Sequence, residues 1–450
     1  MTSSPTEGST VTAMSGSTAS EQLLDDAAEV IPGGVNTCRR RSEPRLCFAR
    51  GAGAYLWDLD GRRYVDYHAA YGAIFLGHSH PVVNERVSQA MRDTVLFGVG
   101  VTASEVALAR KIVQHVPSAE QVVVCNSGSE ATYHAIRLAR GVTGREKIIK
   151  FQGCYNGFHD YVLRNVLSTP ELVMRRDPHS KGMLEAAVDA TLVCRFNDME
   201  DVEAAVAANP ESVAAIVVEP IAHNSPGLLP RPGFLEGLRA LCDREGIVLI
   251  FDEVITGFRH GVGGYQSVCG VTPDLTTLGK AIANGFPLAA VAGRRELMER
   301  LTTNPDGDVH FGGTYNGNAV AVEAGLATIE LLESGTVHAH VFELGDRMRR
   351  GLVEIASRAG IPAVIGGFGS LFVLCFMEGP LETYEDVLRN DTALFLRYRR
   401  ALIARGVFEM PESLGRSHIS ASHTHDDVDR SLEAAEAALS AALDTGVRGA

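Results

Sequence analysis

Five consecutive apolar residues that end in two carboxylates constrain this chain more than any other stretch: Ile247 to Phe251, followed by Asp252 and Glu253. A segment apolar at every position leaves no face for water, so it predicts a strand covered on both sides, as in the parallel sheets of α/β proteins. Acids at the carboxyl end of such a strand stand where open α/β sheets keep their ligands. The alternative is a strand that merely stops, with Asp252 capping the next element. Residues 214–218 repeat the pattern and end in Glu219-Pro220. A helix over 233–245, stopped by Gly246, then leads into the first strand in a βαβ rhythm.

A second informative stretch runs from Val122 to Ala131, where an apolar run passes through Asn126-Ser127-Gly128-Ser129 into a helix reaching about Arg140. Free backbone N–H groups and the helix dipole favour an anion at such a junction, Gly128 allows close approach, and two hydroxyls add donors. No lysine follows as in a P-loop, so a nucleotide triphosphate is not expected, and no G-x-G-x-x-G follows a strand to suggest a dehydrogenase. A plain helix cap at Ser127 or Ser129 would need no ligand. The third feature is Lys280, set among Leu278, Gly279, Ala281, Ile282 and Ala283. Desolvation lowers the pKa of a buried amine and frees it as a nucleophile.

At 450 residues and 45% hydrophobic content, the chain can build one large domain and a smaller one. Acidic residues exceed basic ones, 55 to 41, and no Lys/Arg cluster with interleaved aromatics marks a nucleic-acid groove. The eight cysteines are scattered without a C-x-x-C pair and read as reduced thiols of a cytoplasmic protein. No apolar run approaches membrane-spanning length, and the N-terminus lacks a secretory layout. The expected organisation is a disordered tail over 1–20 and a segment 21–75 that joins the small domain. A large ligand-binding domain follows over 76–335, then a C-terminal α+β portion over 336–450. Hairpin strands are expected at 54–59 and 63–67 around Asp60-Gly61. A helix over 104–116 is expected with Ser104 as cap and Val106, Ile112, Val113 and Val116 as its apolar face. The polar stretch 160–190 reads as a mobile flap. His78/His80 and His423/His425 lack a further Cys or acid at ligand spacing, so no metal is expected; Pro81 starts a helix after the first pair and Thr424 caps one after the second.

An anion site, an acid at a strand end and a desolvated lysine together answer the phosphate, ring nitrogen and aldehyde of pyridoxal 5'-phosphate. The motifs PGGVN (32–36), YLWDLDGRRYVDY (55–67), GHSHP (77–81), NSGSEA (126–131), EPIAHN (219–224), FDEVITGFR (251–259), PDLTTLGK (273–280) and GGT (312–314) make the resemblance specific. The chain resembles class III (ω-type) aminotransferases of the fold-type-I pyridoxal phosphate family, and among them is most similar to the glutamate-semialdehyde aminomutases. That resemblance implies a large domain with a mostly parallel seven-stranded sheet between helices, plus a small domain built from both chain ends. It implies a Schiff base on Lys280, which also carries the proton, and Asp252 on the ring nitrogen. Val254 and Tyr155 enclose the ring, Asn224 donates to its phenolic oxygen, and Ser127, Gly128 and Ser129 hold the phosphate. Thr314 matches a residue that reaches the neighbouring subunit's phosphate, which implies a homodimer with shared sites.

For substrate, the resemblance aligns Arg40 with an arginine that clamps a carboxylate, with Arg39 and Arg41 one register step away. Tyr71 stands for the aminomutases' substrate-site Trp, Asn156 replaces the usual His after Tyr155, and Gly415 replaces their substrate-sensing Glu, with Arg416 beside it. The expected reaction is ping-pong transfer of an amino group between an amino acid and a keto acid, the substrate's second end being a carboxylate or an aromatic β-amino acid. An intramolecular aminomutase and a class III racemase are the rival enzymes, and a silent pyridoxal-binding or assembly protein is the rival from another class. A surface position for Arg416 is the plain alternative to a substrate role.

Overall fold

The computed structural model describes residues 19–447, with side chains described to 444. Its centre is a seven-stranded sheet whose strands, in chain order, are β1 Gln121–Cys125, β2 Lys147–Phe151, β3 Thr191–Cys194, β4 Val213–Val218, β5 Val248–Glu253, β6 Leu275–Leu278 and β7 Ala289–Gly293. Their spatial order is β1-β7-β6-β5-β4-β2-β3, and all run parallel except β7, which is antiparallel to both neighbours. The unbroken apolar run of β5 has the predicted cause. Val248 and Ile250 pack toward Ala131, Ala135 and Leu138 of the helix Gly128–Thr143, while Leu249 and Phe251 pack toward Leu235 and Leu238 of the helix Phe234–Glu245. A strand covered on both faces can only be apolar at alternate and intervening positions alike.

The smaller domain joins the two ends of the chain. The hairpin strands Tyr55–Asp58 and Arg63–Asp66 pair antiparallel with Leu56 opposite Tyr64, and Val407–Phe408 adds in parallel beside Val65. A three-stranded sheet, Val364–Gly366, Leu371–Cys375 and Ser417–His418, lies with the helices Thr336–Ala359, Thr392–Ile403 and His425–Val447. As expected, Pro81 opens a helix, and Thr424 Oγ1 accepts from Asp427 N at 3.1 Å at the start of the last one.

Four local expectations need correction. Ala19 and Ser20 begin the helix Ala19–Val30, with Ser20 buried and its hydroxyl donating to Asp60; the rest of the expected tail lies outside the described residues. The helix Ala103–His115 is capped by Thr102, not Ser104. Thr102 and Glu105 form a reciprocal capping box, and Leu108 and Ile112 are buried while Val106 and Val113 stay largely exposed. The stretch 160–190 divides: most of 161–168 is buried, while most of 169–186 is exposed. Lys150 Nζ donates to the Arg164 carbonyl at 2.6 Å, Asn165 Nδ2 to Gln152 at 2.9 Å and Ser168 Oγ to Asp177 at 2.7 Å, so the polar residues of the first part pair inward. Finally, only one of the two acids on β5 faces a cavity. Glu253 is buried and accepts from Thr256 Oγ1, Tyr265 N, Gln266 N and Gln266 Nε2, which pins the loop after the strand. Gly264 has φ +70°, and a Cβ there would lie 2.5 Å from the Glu253 carboxylate, so the loop closes over the acid only with glycine.

Candidate active site

A cavity of about 250 Å³ opens at the carboxyl ends of the central strands, where the crossing connections part and leave a crevice. Ser127, Gly128, Ser129, Tyr155, Asn156, Glu219, Asp252, Val254 and Lys280 all line it.

The anion end is the start of the helix Gly128–Thr143. Ser127 is its N-cap, its hydroxyl accepting from Glu130 N while the Glu130 carboxylate accepts from Ser127 N at 3.1 Å and Asn126 N at 2.6 Å. The plain capping role is therefore real. It leaves the amides of Gly128 and Ser129 at the mouth of the helix dipole, free of the ladder that starts at Ala131 N. A Cβ on Gly128 would come 2.8 Å from Val254 Cγ1, so backbone and floor approach as closely as glycine permits.

Asp252 is 4% exposed and held by three donors: Asn156 Nδ2 at 2.8 Å, Thr277 Oγ1 at 2.9 Å and Val254 N at 3.2 Å. Burial raises its pKa, and these donors together with the Lys280 charge oppose the rise. Asn156 is the residue that motif reading undervalued. The position was legible as a departure from Tyr-His-Gly, but its partner lies 96 residues away on another strand. Its own Oδ1 is buried without a hydrogen-bond partner.

Lys280 follows β6 with φ 47°, a left-handed conformation that costs a non-glycine residue energy and recurs at functional sites. Burial, and then the positive charge of Arg416, lower its pKa to about 7, against the pull of Asp252 and Glu219. Glu219, buried, accepts from Tyr155 N at 2.8 Å, His223 N at 3.1 Å and Asn224 Nδ2 at 3.2 Å, and burial followed by the Asp252 charge raises it to about 7.

The substrate-side expectations divide. Arg416 is buried, 5% exposed, and donates from Nη1 to Asn224 Oδ1 at 2.9 Å, so the surface position is excluded. Asn224 thus bridges Arg416 and Glu219 beside the cavity. Of the three consecutive arginines, only Arg39 is not exposed. Its charge acts on Tyr155 and Arg416, and its carbonyl accepts from Tyr71 Oη at 2.6 Å. Arg40 is exposed and lines a groove with Leu24 and Arg400, Arg41 lines the same groove, and the charges of both Arg39 and Arg40 bear on Tyr71. Thr314 is not brought to its own chain's cavity. It lies on an exposed loop beside the apolar segment Phe97–Val101. Of the two His-x-His pairs, His78 bonds Asp66 at 2.7 Å and His423 Nδ1 accepts from Ser420 N.

This sheet order, with a cavity at its strand ends and a second domain drawn from both termini, is the fold-type-I architecture of pyridoxal phosphate enzymes. Residues 37–398 match the model of the aminotransferase class-III family, and the chain belongs to that family. It is 43% identical over 425 residues to a glutamate-1-semialdehyde 2,1-aminomutase of Desulforudis audaxviator, covering 93% of this chain and 97% of the relative. Among solved structures it superposes on an omega-transaminase from Sphaerobacter thermophilus with TM-score 0.90 at 35% identity, over 95% and 99% of the two chains. A β-phenylalanine aminotransferase from Variovorax paradoxus matches with TM-score 0.84 at 30% identity, over 93% of each chain. The chemistry is accordingly that of pyridoxal phosphate-dependent transamination or aminomutase rearrangement.

Proposed function

We propose that the chain is an intermolecular aminotransferase, working in two half-reactions on substrates that carry a carboxylate, with Lys280 as the residue that holds the cofactor and moves the proton. The single observation that supports the reading is Arg416, buried and fixed beside Asn224 next to the cavity, with the charge of Arg39 bearing on it, where the aminomutases' acid position is Gly415. Bound pyridoxal phosphate supplies an aldehyde for the amine and a ring that draws electrons from the substrate carbon. The Gly128 and Ser129 amides and the Ser129 hydroxyl would hold the phosphate, Val254 and Tyr155 would flank the ring, and Asp252 would pair with its nitrogen. Lys280, its pKa lowered to about 7 by burial and then by Arg416, would supply the neutral amine that holds the cofactor and the group that moves the proton. To donate to the phenolic oxygen, Asn224 gives up a contact with Glu219.

Arginine recognises a carboxylate bidentately, so two of them favour an acceptor with an acidic end over one with a second amino group. The names of the omega-transaminase and the β-phenylalanine aminotransferase support this, while that of the 43% identical aminomutase supports the intramolecular alternative. Arg416→Ala is expected to raise the half-saturating concentration of carboxylate-bearing substrates about 30-fold, the lower end of the cost of removing a buried charge partner. The half-reaction with a carboxylate-free amine should fall by less, since it loses only the effect of Arg416 on Lys280 and Asn224. Equal kinetics for every substrate would remove Arg416 from recognition.

We further propose a homodimer in which Thr314 reaches the partner's site. Phe97 and Val99, 66% and 90% exposed, lie with Gly313 and Thr314 along one hollow, an apolar patch that a second copy would cover. Sedimentation equilibrium is expected to give twice the chain mass, and Val99→Asp a monomer with weakened cofactor binding. A monomeric parent protein would contradict this.

A further inference from the structure

We propose that Glu412 is a built-in competitor for the substrate carboxylate at Arg39, and that Tyr71 is the positioning residue that holds the arginine for the exchange. This rests on the carboxylate-substrate reading above, and goes beyond it by naming what occupies the arginine before substrate arrives.

Arg39 belongs to a short 3-10 turn, Cys38–Arg40, whose three residues point in three directions, so which arginine faces the site depends on how the turn is fastened. The fastening is Tyr71, whose hydroxyl donates to the Arg39 carbonyl across 32 residues of sequence at 2.6 Å. Tyr71 is itself set by an unusual backbone. Ala69, Ala70 and Tyr71 have φ of 47°, 50° and 58°, and Gly72 continues at 82°, a left-handed turn that is unfavourable for each non-glycine residue. Such a turn persists only where its surroundings over-determine it. Here the Asp66 carboxylate accepts from the amides of His68 and Ala69 at 2.9 and 3.1 Å, the buried Arg259 donates to the Gly72 carbonyl, and Tyr71 closes the set on Arg39.

The guanidinium has a second tether. Arg39 Nη1 lies 3.6 Å from Glu412 Oε2, with the side chains 25% and 38% exposed. Glu412 opens a tight loop: Gly415 N donates to its carbonyl at 3.1 Å, Leu414 has φ 69°, and Asn390 Nδ2 donates to Ser413 Oγ at 2.7 Å. Arg416 follows directly, and the Glu412 charge acts on both Arg416 and Tyr71. One carboxylate of the chain therefore shares the space of two arginines expected to meet a carboxylate of the substrate. A part-exposed pair at this distance contributes about 0.2–1 kcal/mol, enough to pre-set the guanidinium and little enough for a bidentate ligand to displace it.

The test is calorimetric binding of 3-phenylpropanoate to the holoenzyme; this acid has neither amino nor keto group, so the result does not depend on turnover. Glu412→Gln is expected to tighten its Kd about threefold, as that pair energy implies. The gain should vanish in an Arg39→Ala background, while Tyr71→Phe weakens binding. The uncharged 3-phenylpropan-1-ol should respond to none of these changes. An unchanged or weaker Kd in Glu412→Gln, or the same gain without Arg39, would overturn the proposal. If tightening occurs in a protein that transfers no amino group, the competitor stands and the aminotransferase reading falls.

Discussion

Lys280→Ala is expected to abolish turnover, by about four orders of magnitude, because in the proposed function one side chain supplies both the covalent attachment and the proton relay. Borohydride treatment of the parent protein should fix the mass of the cofactor on the Lys280 peptide, and the variant should show none. The pH dependence follows from the lowered pKa. A lysine titrating at about 7 is half neutral at pH 7, whereas an exposed one near 10.4 is neutral in only about one molecule in 2,500. Capture of added cofactor by apoprotein should therefore rise as pH climbs through about 7 and level off well below pH 10. Turnover of Lys280→Ala within tenfold of the parent would show that another group does this chemistry.

Asp252→Asn separates catalysis from folding. The carboxylate is a buried charge that the protein stabilises with three hydrogen bonds, and replacing it with an amide of the same shape removes a desolvation cost. The Tm is expected to hold or rise. Turnover is expected to fall about 10³-fold, since the ring nitrogen loses its charged partner in a water-poor site. A parallel loss of Tm and activity would mean that Asp252 matters for structure instead.

What was legible in the sequence follows from locality. The run Val248–Phe251 announces a two-sided strand because each residue reports its own burial, and Ser127 to Glu130 announces a helix start because the capping partners are three residues apart. Lys280 was legible through its apolar neighbours. What escaped depends on distant partners or on direction. The tether of Arg39 depends on Tyr71, 32 residues away, whose hydroxyl donates to the Arg39 carbonyl. The pairing of Asn156 with Asp252 crosses the sheet. Glu253 looks identical to Asp252 in sequence, yet its alternate position on the strand turns it away from the cavity and into a structural cluster. The polar residues just after 160 are tied to β2 and the loop behind it through Arg164 and Asn165, partners a polar sequence does not reveal, while most of 169–186 is exposed.

The most direct test of the central claim is the visible absorbance of the purified protein, incubated with pyridoxal phosphate and titrated with carboxylate-bearing amino acids one at a time. The account predicts the absorbance of a lysine-bound cofactor, its discharge by at least one donor, and its return when a keto acid is added. A band that no external donor discharges would contradict intermolecular transfer and favour rearrangement within one substrate. No band at all would contradict the assignment of Lys280.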